Sequence, residues 1–220
     1  SVLCKGKYVG TVNTSETNEG ELTEMMVGKK VVLNIDRTEP KNPEDRLVIR
    51  DLSCMSREGV KLLDDVTFTA MGGEILGIAG IAGSGQKELL EAISGLQKLE
   101  EGSKITYIEP DGSECLLNGM DPLDIIRKGL LLSFVPEDRF GMGLVGGMNI
   151  IQNIMLRTYR RGKGPITDRK FPRDLSQKIV DDLEVVTPDI GRTPIRRLSG
   201  GNVQKVLVGR EIAQNPAVLM

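Results

Sequence analysis

Apolar runs punctuated by short polar turns divide the chain into strand-like and helix-like pieces that alternate. Leu47-Val48-Ile49-Arg50-Asp51-Leu52 and Val66-Thr67-Phe68-Thr69-Ala70 read as strands on either side of a turn at Arg57-Glu58-Gly59. After Gly72-Gly73 comes Glu74-Ile75-Leu76-Gly77-Ile78-Ala79, a nearly continuous apolar run of the kind a buried parallel strand needs. The spacing predicts a helix over 88–96, with Leu89, Leu90 and Ile93 on one face. Asp121-Pro122 opens a short helix to Lys128, with Pro at its first position. Another buried strand is expected over 130–135. Helices follow at 149–159 and 173–186, around a link containing Gly and Pro, and at 202–213. Ala217-Val218-Leu219-Met220 starts one more strand. Strands alternating with helices imply an α/β sheet with crossover connections.

The first 46 residues have a different texture. Val2-Leu3-Cys4 and Tyr8-Val9-Gly10-Thr11-Val12 read as a hairpin turning at Lys5-Gly6-Lys7. Asn18 can cap a helix whose Glu21 lies three residues on; Leu22, Met25 and Met26 form its apolar face and Gly28 ends it. Residues 36–45 carry Pro40 and Pro43 among mixed charges, the composition of a linker.

Composition narrows the function classes. The 220 residues are 39% hydrophobic, enough for one domain plus an extra segment. The net charge of −2 leaves no electrostatic footprint for nucleic acid. Aromatics at 3% argue against stacking platforms for single strands. Cys4, Cys54 and Cys115 are few and far apart, which fits a reducing compartment rather than a disulfide framework or zinc site. With no His in the chain, His-based acid–base catalysis and His ligation of metals are excluded. The uncharged stretch at 141–156 holds four Gly, two Asn and a Gln, so it is not a membrane span.

Two loops carry candidate chemistry. Gly80-Ile81-Ala82-Gly83-Ser84-Gly85 lies between an apolar run and a helical pattern, the context in which backbone N–H groups from about Ser84 to Glu88 can face a phosphate. A Gly-rich turn that only allows close packing is the plainer alternative. Far downstream, Leu198-Ser199-Gly200-Gly201-Asn202 feeds a helix start and offers a hydroxyl and free N–H groups to an anion. On its own that turn reads equally well as an ordinary surface turn.

In this order and spacing the two loops resemble those of ATP-binding-cassette (ABC) ATPases. The resemblance implies a P-loop NTPase-like α/β cassette with a mainly parallel sheet, an antiparallel β part and a helical subdomain at about 138–198. It assigns nucleotide contact to Gly80, Gly83, Ser84, Gly85, Gln86, Lys87 and Glu88. Phe134-Val135-Pro136-Glu137-Asp138-Arg139 falls where such proteins have the Gln-loop, with Glu137 at the Gln position. Leu198, Ser199, Gly200, Gly201 and Asn202 match the signature, with Asn202 for the commoner Gln, and would act on a nucleotide held by another cassette.

The departures are specific. Gln86 stands at the usual Lys position and Lys87 at the Ser/Thr that ligates Mg²⁺. A shift of one residue turns a side chain about 100° around a helix, so Lys87 does not simply replace the missing Lys. The aromatic that stacks on adenine is not evident near Cys54-Met55-Ser56.

Pro136-Glu137-Asp138-Arg139 and Gly85-Gln86 are similar to the second cassette of tandem importers for simple sugars or nucleosides. That implies a first-cassette tail at 1–30, a linker at 31–46 and a second cassette at 47–220. The last would be cut before the end of the strand that carries the catalytic carboxylates, leaving no catalytic or metal-binding residue in the fragment. It further implies ATP and Mg²⁺ in the intact protein, weakly bound or absent here. The implied partners are the first cassette, transmembrane permease subunits and, indirectly, a solute-binding protein, at the cytoplasmic membrane face. A non-catalytic nucleotide-binding or scaffolding module is an alternative. So is a soluble tandem-cassette translation factor, against which the mixed charges of 36–45 weigh.

Overall fold

In the computed structural model the described residues are 1–4, 6–28, 40, 43–81, 83–159 and 168–220. Lys5 of the expected hairpin turn, most of the linker, Ala82 and the link at 160–167 lie outside them. The chain divides into two units, 1–43 and 44–220.

In the first unit, β1 (Val2–Cys4) pairs antiparallel with β2 (Lys7–Gly10), and α1 (Glu19–Val27) follows. The Asn18 side chain accepts from the Glu21 N–H, and Gly28, at φ 80°, closes the helix with its own N–H on the Glu24 carbonyl.

The second unit begins with β3 (Asp45–Met55) and β4 (Lys61–Met71), joined through a turn in which Gly59 is left-handed. With β5 (Lys104–Ile108) and β6 (Glu114–Leu116) they form an antiparallel sheet in the order β4-β3-β5-β6. The buried positions of β3 change phase, from Leu47 and Ile49 to Leu52 and Cys54. A strand alternates with period two, so keeping both pairs on the core face requires an inserted residue. The register shifts between Ile49 and Leu52, and Asp51 there takes φ 50°. The bulge is tied across the strands: the Thr67 hydroxyl receives the Asp51 N–H at 2.8 Å, and the Ser53 hydroxyl receives the Asp65 N–H at 2.9 Å.

Against this sheet pack α2 (Gln86–Ile93) and α3 (Pro122–Arg127), through Leu89, Ala92, Ile93 and Ile125. Asp121 caps α3 by accepting the Asp124 N–H, as the Asp-Pro pair predicts. The expected helix over 88–96 starts two residues earlier and stops at Ile93. Gly95 turns away at φ 79°, where a Cβ would stand 2.3 Å from the Met120 carbonyl oxygen.

The parallel part is smaller than expected. Its ladder consists of β7 (Leu132–Ser133) beside β8 (Val218–Leu219), extended by bonds from Ala217 N–H to Leu131 O and from Val135 N–H to Met220 O. The run 74–79, expected to be a buried strand, belongs to no ladder among the described residues, and Ile75 is 76% exposed. Apolar sequence alone does not make a strand; a neighbour must supply the other half of the hydrogen bonds.

A second core lies among α4 (Ile150–Thr158), α5 (Lys170–Asp182) and α6 (Gly200–Ile212), built on Ile150, Ile154, Ile179, Val203, Val206 and Leu207. Asn149 and Gln152 form a reciprocal capping box at the start of α4. α5 starts before and ends before its expected bounds, with Pro172 tolerated in its first turn. α5 and α6 approach closely at Gly209, where a Cβ would stand 2.6 Å from Ile179 Cγ2 and 2.9 Å from Leu183 Cδ1.

Helix propensity alone favours Ala over Gly by about 1 kcal/mol. The packing at Gly209 outweighs it: Gly209→Ala destabilises the chain by about 1–3 kcal/mol through overpacking. Urea midpoints of the two proteins check this, and a stabilised variant would show that the helices separate freely.

Candidate functional site

The glycine-rich loop owes its shape to two left-handed residues, Gly83 at φ 84° and Gly85 at φ 90°. Gly85 is also the residue before α2, and its surroundings leave no room: a Cβ would stand 3.0 Å from both the Leu62 carbonyl oxygen and Leu63 Cδ2 of β4. The N–H groups at 86–88 open α2 and so have no carbonyl one turn back, and no side chain caps them. The Ser84 N–H is already committed to the Ile81 carbonyl at 3.1 Å.

The side chains of this loop point elsewhere. Gln86 folds back so that its Nε2 stands 2.8 Å from where a Cβ on Gly80 would lie. Lys87 extends along the helix to Glu91 Oε1 at 3.7 Å, and Gln97 donates to the other Glu91 oxygen at 2.7 Å. Glu88 sits half-buried in the first turn. Gln86, Ile75, Leu76, Ile78, Leu89 and Leu219 share the lining of an open groove of about 690 Å³.

The second loop is built differently. Ser199 is the N-cap of α6, and its hydroxyl accepts from the Asn202 N–H at 3.4 Å and from Asn202 Nδ2 at 2.9 Å. The Asn202 side-chain oxygen accepts the Val186 N–H at 3.0 Å, pinning the turn to the segment after α5. Leu198 anchors the turn by packing on the helical core, while Ser199, Gly200 and Gly201 are exposed.

Glu137 is exposed. Next to it, Asp138 accepts the N–H groups of Phe140 and Gly141 and so opens a π-helical turn at Arg139–Gly143. From that turn Arg139 Nη1 donates to the Gly200 carbonyl at 3.1 Å. The structure therefore joins the Pro-Glu-Asp-Arg segment to the Ser-Gly-Gly turn, 61 residues away. Neither segment's sequence signals the other, since no spacing rule links an Arg to a distant carbonyl. The glycine-rich loop and the Ser199 turn share no described hydrogen bond or ion pair.

The buried cluster at the other end of α6 was also missed. Glu211, 1% exposed, receives Arg157 Nη2 at 2.6 Å and Arg210 Nε at 2.8 Å. Burial pulls the Arg210 guanidinium below its ordinary pKa, and the Glu211 carboxylate opposes that shift. In sequence, Arg-Glu in a helix gives no sign that both side chains turn inward.

The family model described as "ABC transporter" matches residues 63–220. The chain is 35% identical, over its whole length, to the "Glucose import ATP-binding protein TsgD13" of Haloferax volcanii, covering 39% of that protein. It is 32% identical to the "Guanosine import ATP-binding protein NupO" of Bacillus subtilis and 33% identical to the "Ribose import ATP-binding protein RbsA" of Geobacillus kaustophilus, covering all of this chain and 42% of each relative. It thus spans about two fifths of the length of the curated relatives it matches. Among solved structures, the ATP-binding cassette MJ0796 bound to ADP and Pi matches 79% of this chain and 72% of its own, at TM-score 0.62 and 22% identity. The cassette MJ1267 matches 80% of this chain and 68% of its own, at TM-score 0.61 and 20% identity.

The two loop glycines are expected to differ in cost. Gly83→Ala meets nothing within 4 Å, so it carries only the strain of a left-handed alanine, about 1–2 kcal/mol. Gly85→Ala adds the collision with β4 and loses about 2–4 kcal/mol. Equal shifts of the denaturation midpoint would contradict the close approach at Gly85.

Proposed function

The chain belongs to the ABC transporter family, and on that premise we propose that it forms the second, C-terminal cassette of a tandem ATP-binding subunit that energises import of a simple sugar or nucleoside. Relatives named as glucose, guanosine and ribose import proteins support the class of solute. Residues 1–30 are then the tail of the first cassette, 31–46 the linker and 47–220 the second cassette, a division compatible with the unit boundary at 43/44.

The observation that carries the finer reading is the contrast between the two loops. At the first, Gln86 brings no charge and rests against Gly80, while Lys87 pairs with Glu91. Neither supplies the hydroxyl that Mg²⁺ takes from such a loop or a free cation for the phosphates, and Glu88 adds like charge beside them. Mg²⁺ does not fit this donor set. At the second, the Ser199 hydroxyl is exposed on a capped helix of thirteen residues, with first-turn N–H groups and the positive end of the dipole behind it. This cassette holds nucleotide weakly and contributes Ser199, Gly200, Gly201 and Asn202 to the ATP bound by its partner cassette. ATP and Mg²⁺ belong to that partner's site.

Permease subunits meet the segment around Glu137, where Phe140 and Met142 are 48% and 47% exposed. The solute reaches the permease from a binding protein that this chain does not touch, and no nucleic acid takes part. The working place is the cytoplasmic face of the membrane. Among the described residues no helix is long and apolar enough to cross it.

In the intact importer Ser199→Arg lowers transport-coupled ATP hydrolysis by about 100-fold or more, because it removes a donor from the reacting phosphoryl group and fills its place. Gln86→Ala lowers it by less than about threefold, since that side chain supports no transition-state charge. Equal losses would refute the asymmetry. For the chain alone, a thermal melt with Mg-ATP shows no saturable rise in Tm; a large saturable rise would show that the loop binds despite Gln86 and Lys87.

A further inference from the structure

The hydrogen bonds around Asn202 fix more than the shape of its turn. Its Oδ1 lies 3.0 Å from the Val186 N–H, which can only donate. That contact settles the orientation of the amide, so the group 2.9 Å from Ser199 Oγ is the NH₂ end. The Asn202 backbone N–H also points at Ser199 Oγ, at 3.4 Å. A serine hydroxyl has two acceptor positions and one proton. Both acceptor positions are used by donors of Asn202, so the proton is left to an outside acceptor. Ser199 is exposed and its hydroxyl donates to no described residue, so its proton is open to an acceptor from outside the chain.

We propose that Asn202 is a positioning residue that makes the Ser199 hydroxyl a one-way donor toward a phosphoryl oxygen. The inference rests on the reading that Ser199 closes on nucleotide held by a partner cassette. The asparagine works as a wedge between two fixed points. The Val186 N–H holds its oxygen, and its NH₂ group therefore cannot rotate away from the serine. Without it, the hydroxyl could turn its proton inward or rotate among staggered positions, and the donor would have to be reoriented in each cycle. A donor already aimed at developing charge is worth more than one that must reorganise.

The two obvious substitutions separate this role from a structural one. In Asn202→Asp one carboxylate oxygen still accepts the Val186 N–H. The other faces Ser199 as an acceptor, and the serine proton turns inward to meet it. Asn202→Ala removes both contacts and leaves the hydroxyl free to rotate. A purely structural role predicts the larger loss for Ala, which cuts the tie to Val186. Positioning predicts the larger loss for Asp.

The test measures ATP turnover of the intact importer carrying Ser199→Ala, Asn202→Asp, Asn202→Ala and the double variant Ser199→Ala/Asn202→Asp. Expected are losses in kcat of about 100-fold for Ser199→Ala and nearly as much for Asn202→Asp, and about tenfold for Asn202→Ala, with KM for ATP changed less than about twofold. The decisive comparison is the double variant. If Asn202 acts through the Ser199 hydroxyl, Asn202→Asp costs less than about twofold once that hydroxyl is gone. Repulsion between the new carboxylate and ATP, or a general loosening of the turn, would persist in the Ser199→Ala background. Additive losses therefore overturn the proposal, as does an Asn202→Asp protein as active as the parent or more active than Asn202→Ala. Full turnover in Ser199→Ala would instead overturn the partner-site reading itself, and the proposal with it.

Discussion

A carboxylate enclosed by two guanidinium groups holds the helical half of the second unit together. Glu211 is 1% exposed, and its oxygens reach Arg157 of α4 at 2.6 Å and Arg210 of α6 at 2.8 Å. Its backbone carbonyl accepts the Ser133 hydroxyl of β7 at 3.2 Å, and Arg210 continues to the Gly143 carbonyl at 2.7 Å. The adjacent pair Arg210 and Glu211 thus joins two helices, the parallel strand pair and the π turn. Neutral packing of the same volume could be as stable. Removing one partner alone is what costs, about 3–5 kcal/mol, because an uncompensated charge stays buried. The cluster therefore specifies where α6 ends, and a rigid α6 carries that placement to Ser199 at its other end.

From that strut the Ser199 turn gains its order. Val203, Val206 and Leu207 bury one side of α6 in the helical core. Asn202 and Arg139 hold the exposed start of the helix from two directions, through the Val186 N–H and the Gly200 carbonyl. Arg139 begins in the segment that also carries Glu137, so a displacement of that segment would be felt at the Gly200 carbonyl through one hydrogen bond. The glycine-rich loop has the opposite character. Its backbone is constrained by Gly85 against β4, yet its long polar side chains are turned to Gly80 and Glu91. At Gly85 the backbone is fixed while the neighbouring long side chains turn away; at Ser199 backbone and side chains are held together.

Much of the architecture was legible in local sequence because local chemistry decides it. Asn18, Asp121 and Asn149 cap the helices they precede, since their side-chain oxygens reach free N–H groups one turn on. Gly28 and Gly59 stop or turn the chain where φ is positive. The strands around Leu47 and Val66 follow their alternation, although the bulge at Asp51 was not foreseeable from it. Strands β5 and β6 gave little signal: they are short, of five and three residues, and register of β5 with β3 and of β6 with β5, rather than a turn motif, positions them. The apolar run at 74–79 misled for the converse reason, having the composition of a strand without a ladder to join.

The family was legible in two loops whose glycines and hydroxyl sit at the required spacing, and so were the substitutions at Gln86 and Lys87. Where those side chains go, which carbonyl Arg139 finds and which way the Asn202 amide faces depend on the packed fold. Spacing along a chain limits what a backbone can do over one or two turns. The direction of a hydrogen bond between residues sixteen or sixty-one positions apart depends on how whole helices pack, and that is settled by buried apolar contacts and one buried carboxylate far from the loop they position.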